Sequence, residues 1–460
     1  MGGKAGGACR SGRAGKPFRG FAGRALLRTF SALLAAALLS GCAVIPADIT
    51  ELESLPKLTP EQQAIESALQ AKVGNRFILR YPLEGNNRSA FVLRPGEGKS
   101  PDEAYAFYSP NSTTGPYIAY LAKQNGKWKD LGSISSAGSD IDRVDFDDFD
   151  GDGTDEIAVG WRSFDTNNLV LMVYTKTQDN RFTTQTLGNF TKLVIADLTG
   201  DRRPDILKLK LDATEKQATA SLIASQDGKL REVAATTTDG TVTGYTGVYS
   251  ARLTDGTPAV LVDGEKAGRK LSTELLYYKN GALHSPFYEQ SQNAVTSTLR
   301  SDAYPCSDLD QDGNFEIPVL ETLPHAALKK GQSAPILANW SDYNVQKKSL
   351  VTKYSDYMDY TDRFCVRYPT VWKRAVTVTQ PESGVWNFVE WNAKNGSAGN
   401  VLFSIRLFKD EVWSEQQTRT AYTMLADPSG VVFAVKMGEE KDGDPLYLSL
   451  DEVRKNFSVL

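Results

Sequence analysis

The chain has 460 residues, with 52 Lys and Arg against 56 Asp and Glu and a formal net charge of −4 at pH 7. An acidic balance without a basic helix or an aromatic–basic platform repels phosphate backbones and excludes a nucleic-acid partner. Four cysteines are too few for a disulfide framework, and the length accommodates two or three domains.

Lys4, Arg10, Arg13, Lys16, Arg19, Arg24 and Arg28 stand within residues 1–41, which hold no Asp or Glu. The apolar run behind them, "FSALLAAALL" at 30–39, is shorter than the roughly 20 residues a membrane-spanning helix needs. A basic stretch followed by a short apolar one reads as an export signal over 1–41. Next comes "LSGC", Leu39 to Cys42, which resembles a bacterial lipobox. The resemblance implies cleavage before Cys42 and a lipid on its sulfur, with more than one acyl chain for stable anchoring. The expected location is the extracytoplasmic face of the cell membrane, held by Cys42. Losing seven positive charges takes the net charge from −4 to −11. Cys9 leaves with the signal, so Cys306 and Cys365 remain, either as a disulfide or as two buried thiols.

Residues 42–58 read as a tether, with Pro46 and Pro56 and little periodicity. A helix is expected over 59–75, where Thr59 and Gln62 form a capping box, Pro60 suits the first helical position and Gly74 stops the helix. From about residue 76 the apolar period becomes two, in pieces such as "YIAYLAK", "EIAVGW" and "LVLMVYT" separated by Gly, Asn and Asp turns. Loop segments recur at Pro95, Asp148, Asp197, near Leu253 and at Asp308, spaced 53, 49, 56 and 55 residues apart. A repeat of that length holds four short strands, so 76–358 is expected to be a β-propeller of about five blades, with six as the alternative. After residue 362 strands and helices mix, which predicts a small α+β domain over 362–460. "EVWSEQQTRTAYTMLA" is expected as a helix, and so is the closing "LSLDEVRKNFSVL", with Ser449 and Glu452 as its capping box. The segment "YPTVW" at its start resembles PsbP-like domains. The fold class is therefore mainly β, a propeller followed by a small α+β domain.

Two of the recurring loops are dense in acid. "DFDGDGTDE" puts Asp148, Asp150, Asp152 and Glu156 at positions 1, 3, 5 and 9, with Gly153 at 6 and the Thr154 carbonyl at 7. "DLDQDGNFE" repeats this with Asp308, Asp310, Asp312, Asn314 and Glu316 around Gly313. Alternate acids on a tight turn converge to supply the oxygens calcium takes, whereas magnesium keeps its waters and prefers fewer carboxylates. An EF-hand would carry Glu at position 12, where this chain has Val159 and Val319. The last acid instead leads into a strand, a pattern that resembles the FG-GAP or VCBS calcium loops of integrin-like propellers. Calcium is the expected cofactor. In the Asp197 loop Arg202 replaces the glycine and Arg203 adds charge, so its acids can be neutralised without metal. The Pro95 and Leu253 copies have lost most of their acids.

His284 and His325 are the only histidines, and neither belongs to a zinc spacing or a nucleophile motif. Tyr354, Tyr357 and Tyr360 recur at intervals of three and fit either a sugar- or peptide-gripping surface or packing between domains. The expected function is a non-enzymatic, membrane-anchored binding or scaffolding module with a cell-wall polysaccharide or protein ligand. The alternative is a polysaccharide-acting hydrolase that uses the propeller as its platform.

Overall fold

The computed structural model describes residues 58–95, 101–111, 115–164, 168–328, 333–415, 421–428, 430–439, 441 and 443–460. The expected signal, Cys42 and all but the last residue of the tether lie outside them. Helix α1, Pro60–Val73, starts as expected. The Thr59 hydroxyl accepts the Gln62 N–H at 3.2 Å, and Gln62 Oε1 accepts the Thr59 N–H at 2.9 Å. Gly74 ends it at φ +79°. Ile65 and Leu69, one turn apart, are its buried residues, and Lys72 forms an ion pair with Asp130.

Five antiparallel sheets follow in chain order, built mostly by pairing of strands adjacent in sequence. In the first sheet Phe77–Leu79 and Phe91–Pro95 share Pro101–Pro110, followed by Tyr117–Gln124 and Lys127–Ser135. The second holds Asp140–Asp147, Glu156–Arg162, Leu169–Lys176 and Phe182–Phe190. Lys192–Ala196, Asp205–Asp212, Gln217–Gln226 and Lys229–Thr237 make the third. The fourth consists of Gly244–Arg252, Pro258–Lys266, Lys270–Lys279 and Ala282–His284, with the two-residue strand Arg300–Ser301 paired to Lys270–Lys279. Ile317–Thr322, Ile336–Asn344, Ser349–Asp359 and Phe364–Arg367 form the fifth. The Asp148, Asp197 and Leu253 segments fall at one place in this plan, the turn between a sheet's first and second strands.

Each sheet packs on the next. Ile118 and Tyr120 meet Ile157 and Trp161, and Phe149 and Leu171 meet Ile206 and Ile223. Leu207 and Leu222 meet Val260 and Leu276, and Leu261 and Leu275 meet Ile317 and Tyr343. A second strand therefore has a neighbour on both faces. Residues 156–161 and 259–264 are accordingly buried without a break. Burying one such Leu, Ile or Phe side chain contributes about 1.5–3 kcal/mol, so the stack is held chiefly between sheets.

The fifth unit departs from the plan in two ways. Its first strand is reduced to a single bridge between Ser307 and Glu316. Its far edge gains Phe457–Val459, which returns from the end of the chain to pair with Phe364–Arg367. The boundary expected near residue 362 is crossed by backbone hydrogen bonds, because Phe364–Arg367 also pairs with Ser349–Asp359.

The C-terminal part is a five-stranded antiparallel sheet of Val376–Glu382, Val385–Asn392, Ser397–Lys409, Val431–Met437 and, at one edge, Thr423–Ala426. Trp372, Trp386, Phe388, Phe403 and Phe433 bury against Leu337, Tyr357 and Phe364 of the fifth sheet. Of the helix expected over 411–426, the described residues show one turn, α2, at Asp410–Trp413, while residues 416–420 lie outside them. Thr423–Ala426 pairs with Val431–Met437 instead, because an open sheet edge offers hydrogen bonds that outweigh local propensity. The closing helix α3 covers only Leu450–Asn456, and its Ser449–Glu452 capping box forms as expected.

Candidate metal centre

The Asp148 loop joins the first and second strands of the second sheet. Asp148 Oδ1 accepts the Gly151 N–H at 2.7 Å and Oδ2 accepts the Gly153 N–H at 3.0 Å. Asp150 and Asp152 accept the N–H groups of Asp152 and Thr154 at 3.1 and 2.7 Å. Gly151 and Gly153 turn the chain at φ +84° and +89°, a conformation a side chain would oppose. Glu156 opens the next strand and is 1% exposed. Its Oε2 accepts the Phe149 and Asp150 N–H groups at 3.1 and 3.2 Å, while Oε1 is buried without a hydrogen-bond partner.

Carboxylate oxygens of Asp148, Asp150 and Glu156 lie within 4.8 Å of one another. Burial, and then the charge of Asp150, push Glu156 up to about 7. An orphaned buried acceptor costs about 1–3 kcal/mol, and a bound cation would remove that cost and the repulsion together. The donor set therefore fits a divalent cation. Asp152, also an expected ligand, lies outside this cluster and is occupied by the turn at Thr154.

The Asp308 loop forms the same turn, with Asp308 accepting the Asp312 and Gly313 N–H groups at 3.1 and 3.0 Å. Asp308, Asp310 and Glu316 also approach within 4.8 Å. Here, however, the charge is already balanced. Lys353 Nζ lies 3.1 Å from Asp310 Oδ2, 2.8 Å from Asp312 Oδ2 and 2.7 Å from Glu316 Oε1. Tyr354 donates to Glu316 Oε2 at 2.8 Å, so both oxygens of this fully buried carboxylate are satisfied. Burial works against the Lys353 charge, but Asp312, Glu316 and Asp310 outweigh it and raise its pKa. Asn314, expected as a ligand, instead bonds across to the Arg252 N–H at 2.6 Å and Asp342 at 3.3 Å. The Asp308 set thus groups as the Asp148 set does, but with a counter-charge, Lys353, already in place. Lys353 is not among the expected site residues, and nothing local marks it, 37 positions beyond Glu316.

The Asp197 loop keeps the backbone pattern of the Asp148 loop. Asp197 accepts the Gly200 and Arg202 N–H groups at 2.7 and 2.9 Å, and Asp205 accepts those of Leu198 and Thr199, both at 2.8 Å. Arg203 pairs with Asp201 at 2.6 Å, the neutralisation expected from the sequence. In the Leu253 copy Asp255 pairs with Lys279 at 2.6 Å. Residues 96–100 of the Pro95 copy lie outside the described residues.

His284 stacks on Tyr277, with ring centroids 4.8 Å apart, and its Nε2 lies 3.1 Å from the Lys279 carbonyl. His325 faces the Ala326 carbonyl at 2.8 Å. Cys306 and Cys365 are buried free thiols, which decides between the two alternatives left open by the sequence. The three tyrosines are packed. Tyr354 lies under the Arg367 guanidinium at 3.9 Å, Tyr357 enters the C-terminal core, and Tyr360 meets Tyr304 edge-on at 4.9 Å.

No described protein family and no curated protein matches the chain. Among solved structures it is distantly similar to a candidate 6-phosphogluconolactonase from Bacteroides uniformis, at 11% identity and TM-score 0.29, over 69% of this chain and 85% of that one. It is also similar to the rhamnogalacturonan lyase YesW, at 13% identity and TM-score 0.28 over 62% and 64% of the two chains. For the exotype rhamnogalacturonan lyase YesX the values are 11%, 0.27, 78% and 87%.

Proposed function

We propose that this chain is a lipid-anchored, extracytoplasmic binding module whose five sheets are the blades of a propeller-type array stiffened by calcium at the Asp148 loop. The observation that carries the cation is the buried, unpartnered Oε1 of Glu156 beside two further carboxylates. Asp148, Asp150 and Glu156 would hold the ion, with carbonyls of the turn and water completing the six to eight oxygens calcium takes. The ion neutralises the turn and pins the start of a strand that is buried on both faces. It supplies rigidity, not chemistry. The face so stiffened is offered to a cell-wall polysaccharide or a surface protein, and the lipid on Cys42 keeps it at the membrane. The test is co-sedimentation of the purified chain with cell-wall fractions in calcium and in chelator. Retention in calcium that falls in chelator, and falls equally in Asp150→Asn, supports the reading. Equal retention in all three removes calcium from the function.

A further inference from the structure

We propose that Lys353 is the built-in cation of the Asp308 loop, so that of two loops with one acidic pattern only the Asp148 loop takes a divalent ion. For the Asp148 half this rests on the function proposed above; the Lys353 half stands on its own geometry.

The two loops share the same turn, the same spacing and a fully buried glutamate at position 9. They differ in what faces that glutamate. Glu156 Oε1 has no partner, whereas Glu316 Oε1 receives Lys353 Nζ at 2.7 Å. The same ammonium reaches two more loop carboxylates, Asp310 and Asp312. A divalent ion entering there would have to expel an ammonium held by three charge-assisted hydrogen bonds and then sit beside its positive charge.

The sheet explains how Lys353 comes to point there. In the fifth sheet Trp340 pairs with Tyr354 and Ser341 with Thr352, which leaves Lys353 as the extra residue of a bulge. A bulge re-aims the side chain it carries. The same bulge recurs between the last two strands of three other sheets. There the skipped residues are Leu131, Leu187 and Val233. Each of these packs into an apolar cluster, and the Leu187 cluster includes Phe149 of the Asp148 loop itself. Lysine therefore stands where the sheet that carries the Asp148 loop has leucine. One substitution at an equivalent position separates a loop open to metal from one closed to it.

The experiment is calorimetric titration of the purified full chain with calcium, repeated for Lys353→Leu, Lys353→Gln, Asp150→Asn and Asp310→Asn. The proposal expects one site in the wild type, lost in Asp150→Asn and kept in Asp310→Asn, and one site more in each folded Lys353 variant. The glutamine variant covers the case in which leucine does not fold. Two sites in the wild type overturn the proposal, as does a wild-type site lost in Asp310→Asn. Folded Lys353 variants that gain no site overturn it too. A wild type with no site whose Lys353 variants gain one leaves Lys353 as the blocking cation and removes calcium from the Asp148 loop instead.

Discussion

Arg203 Nη1, from the loop of the third sheet, donates to the backbone carbonyl of Asp150 in the loop of the second, 3.3 Å away. Ser225 Oγ donates to the same carbonyl at 2.7 Å. The arginine also pairs with Asp201, so it joins two loops that the sequence presents as independent copies. Its positive charge lies near the carboxylates proposed to hold calcium, and there it opposes a bound cation while partly offsetting the charge of the turn. Arg203→Ala is expected to lower the melting temperature in chelator by a degree or so and to enlarge the increment that calcium adds. Scanning calorimetry with and without calcium reads both; an unchanged increment would mean that the arginine does not sense the site.

Arg202 occupies the turn position that Gly153 and Gly313 fill in the other acidic loops, and it does so at φ +70°. A side chain in the left-handed region costs roughly 1 kcal/mol. Arg202→Gly should therefore stabilise the protein by about 0.5–1 kcal/mol, a shift of one to three degrees for a chain of this size. A thermal melt decides it, and a lower midpoint would contradict the reading of this turn.

The loops were legible because their spacing is local. The Asp148, Asp197 and Leu253 copies fall between the first and second strands of successive sheets, and the Asp308 copy between the two sides of the Ser307–Glu316 bridge. That regularity survives the loss of acids in the Leu253 copy. Lys353 was not legible. Its aim depends on a bulge in a strand 37 residues beyond Glu316, and a lysine in an alternating strand reads as an exposed face. The truncated first strand of the fifth sheet and the return of Phe457–Val459 were hidden for a similar reason. Both are set by partners distant in the chain. Thr423–Ala426 misled because its residues tolerate helix, and only the open edge of Val431–Met437 made it a strand.

Glu274 is buried against Asp239 and Ser285, and burial pushes it up to about 7 from 4.5. An acid whose folded value is raised holds its proton more tightly when folded. Stability from this residue is therefore present below about pH 4.5 and is lost as pH rises towards 7. Asp239 shifts the other way: despite its burial, Lys266 and the neighbouring N–H groups hold it below its usual value, so it acts only in more acid solution. Glu274→Gln, which mimics the protonated form, should flatten the fall in midpoint between pH 5 and 7. An unaltered pH profile in the variant would remove Glu274 as its source.

Anchoring has its own test. Metabolic labelling with a palmitate analogue should mark the wild type and leave Cys42→Ala unlabelled, with the variant released from the membrane fraction. Equal labelling of both would leave the Leu39–Cys42 segment without the proposed role.

The two acidic loops should respond in opposite directions to loss of a carboxylate. In chelator the Asp148 loop carries unrelieved repulsion, and burial followed by the neighbouring acids raises the Asp150 pKa. Asp150→Ala should leave the metal-free midpoint unchanged or raise it slightly. It should also abolish the calcium increment, which at about ten times the dissociation constant is roughly 1.4 kcal/mol for one site. In the Asp308 loop the charge is already matched by Lys353, so Asp310→Ala removes a favourable partner at 3.1 Å instead of a repelling one. The pair is part-exposed, which limits its worth to about 0.2–1 kcal/mol, and the loss should be the same with calcium or with chelator. Midpoints for the two variants in both solutions give four numbers with a fixed pattern of signs. If Asp310→Ala lost a calcium increment as Asp150→Ala does, the two loops would be equivalent after all, and Lys353 would be only a placeholder that the ion displaces.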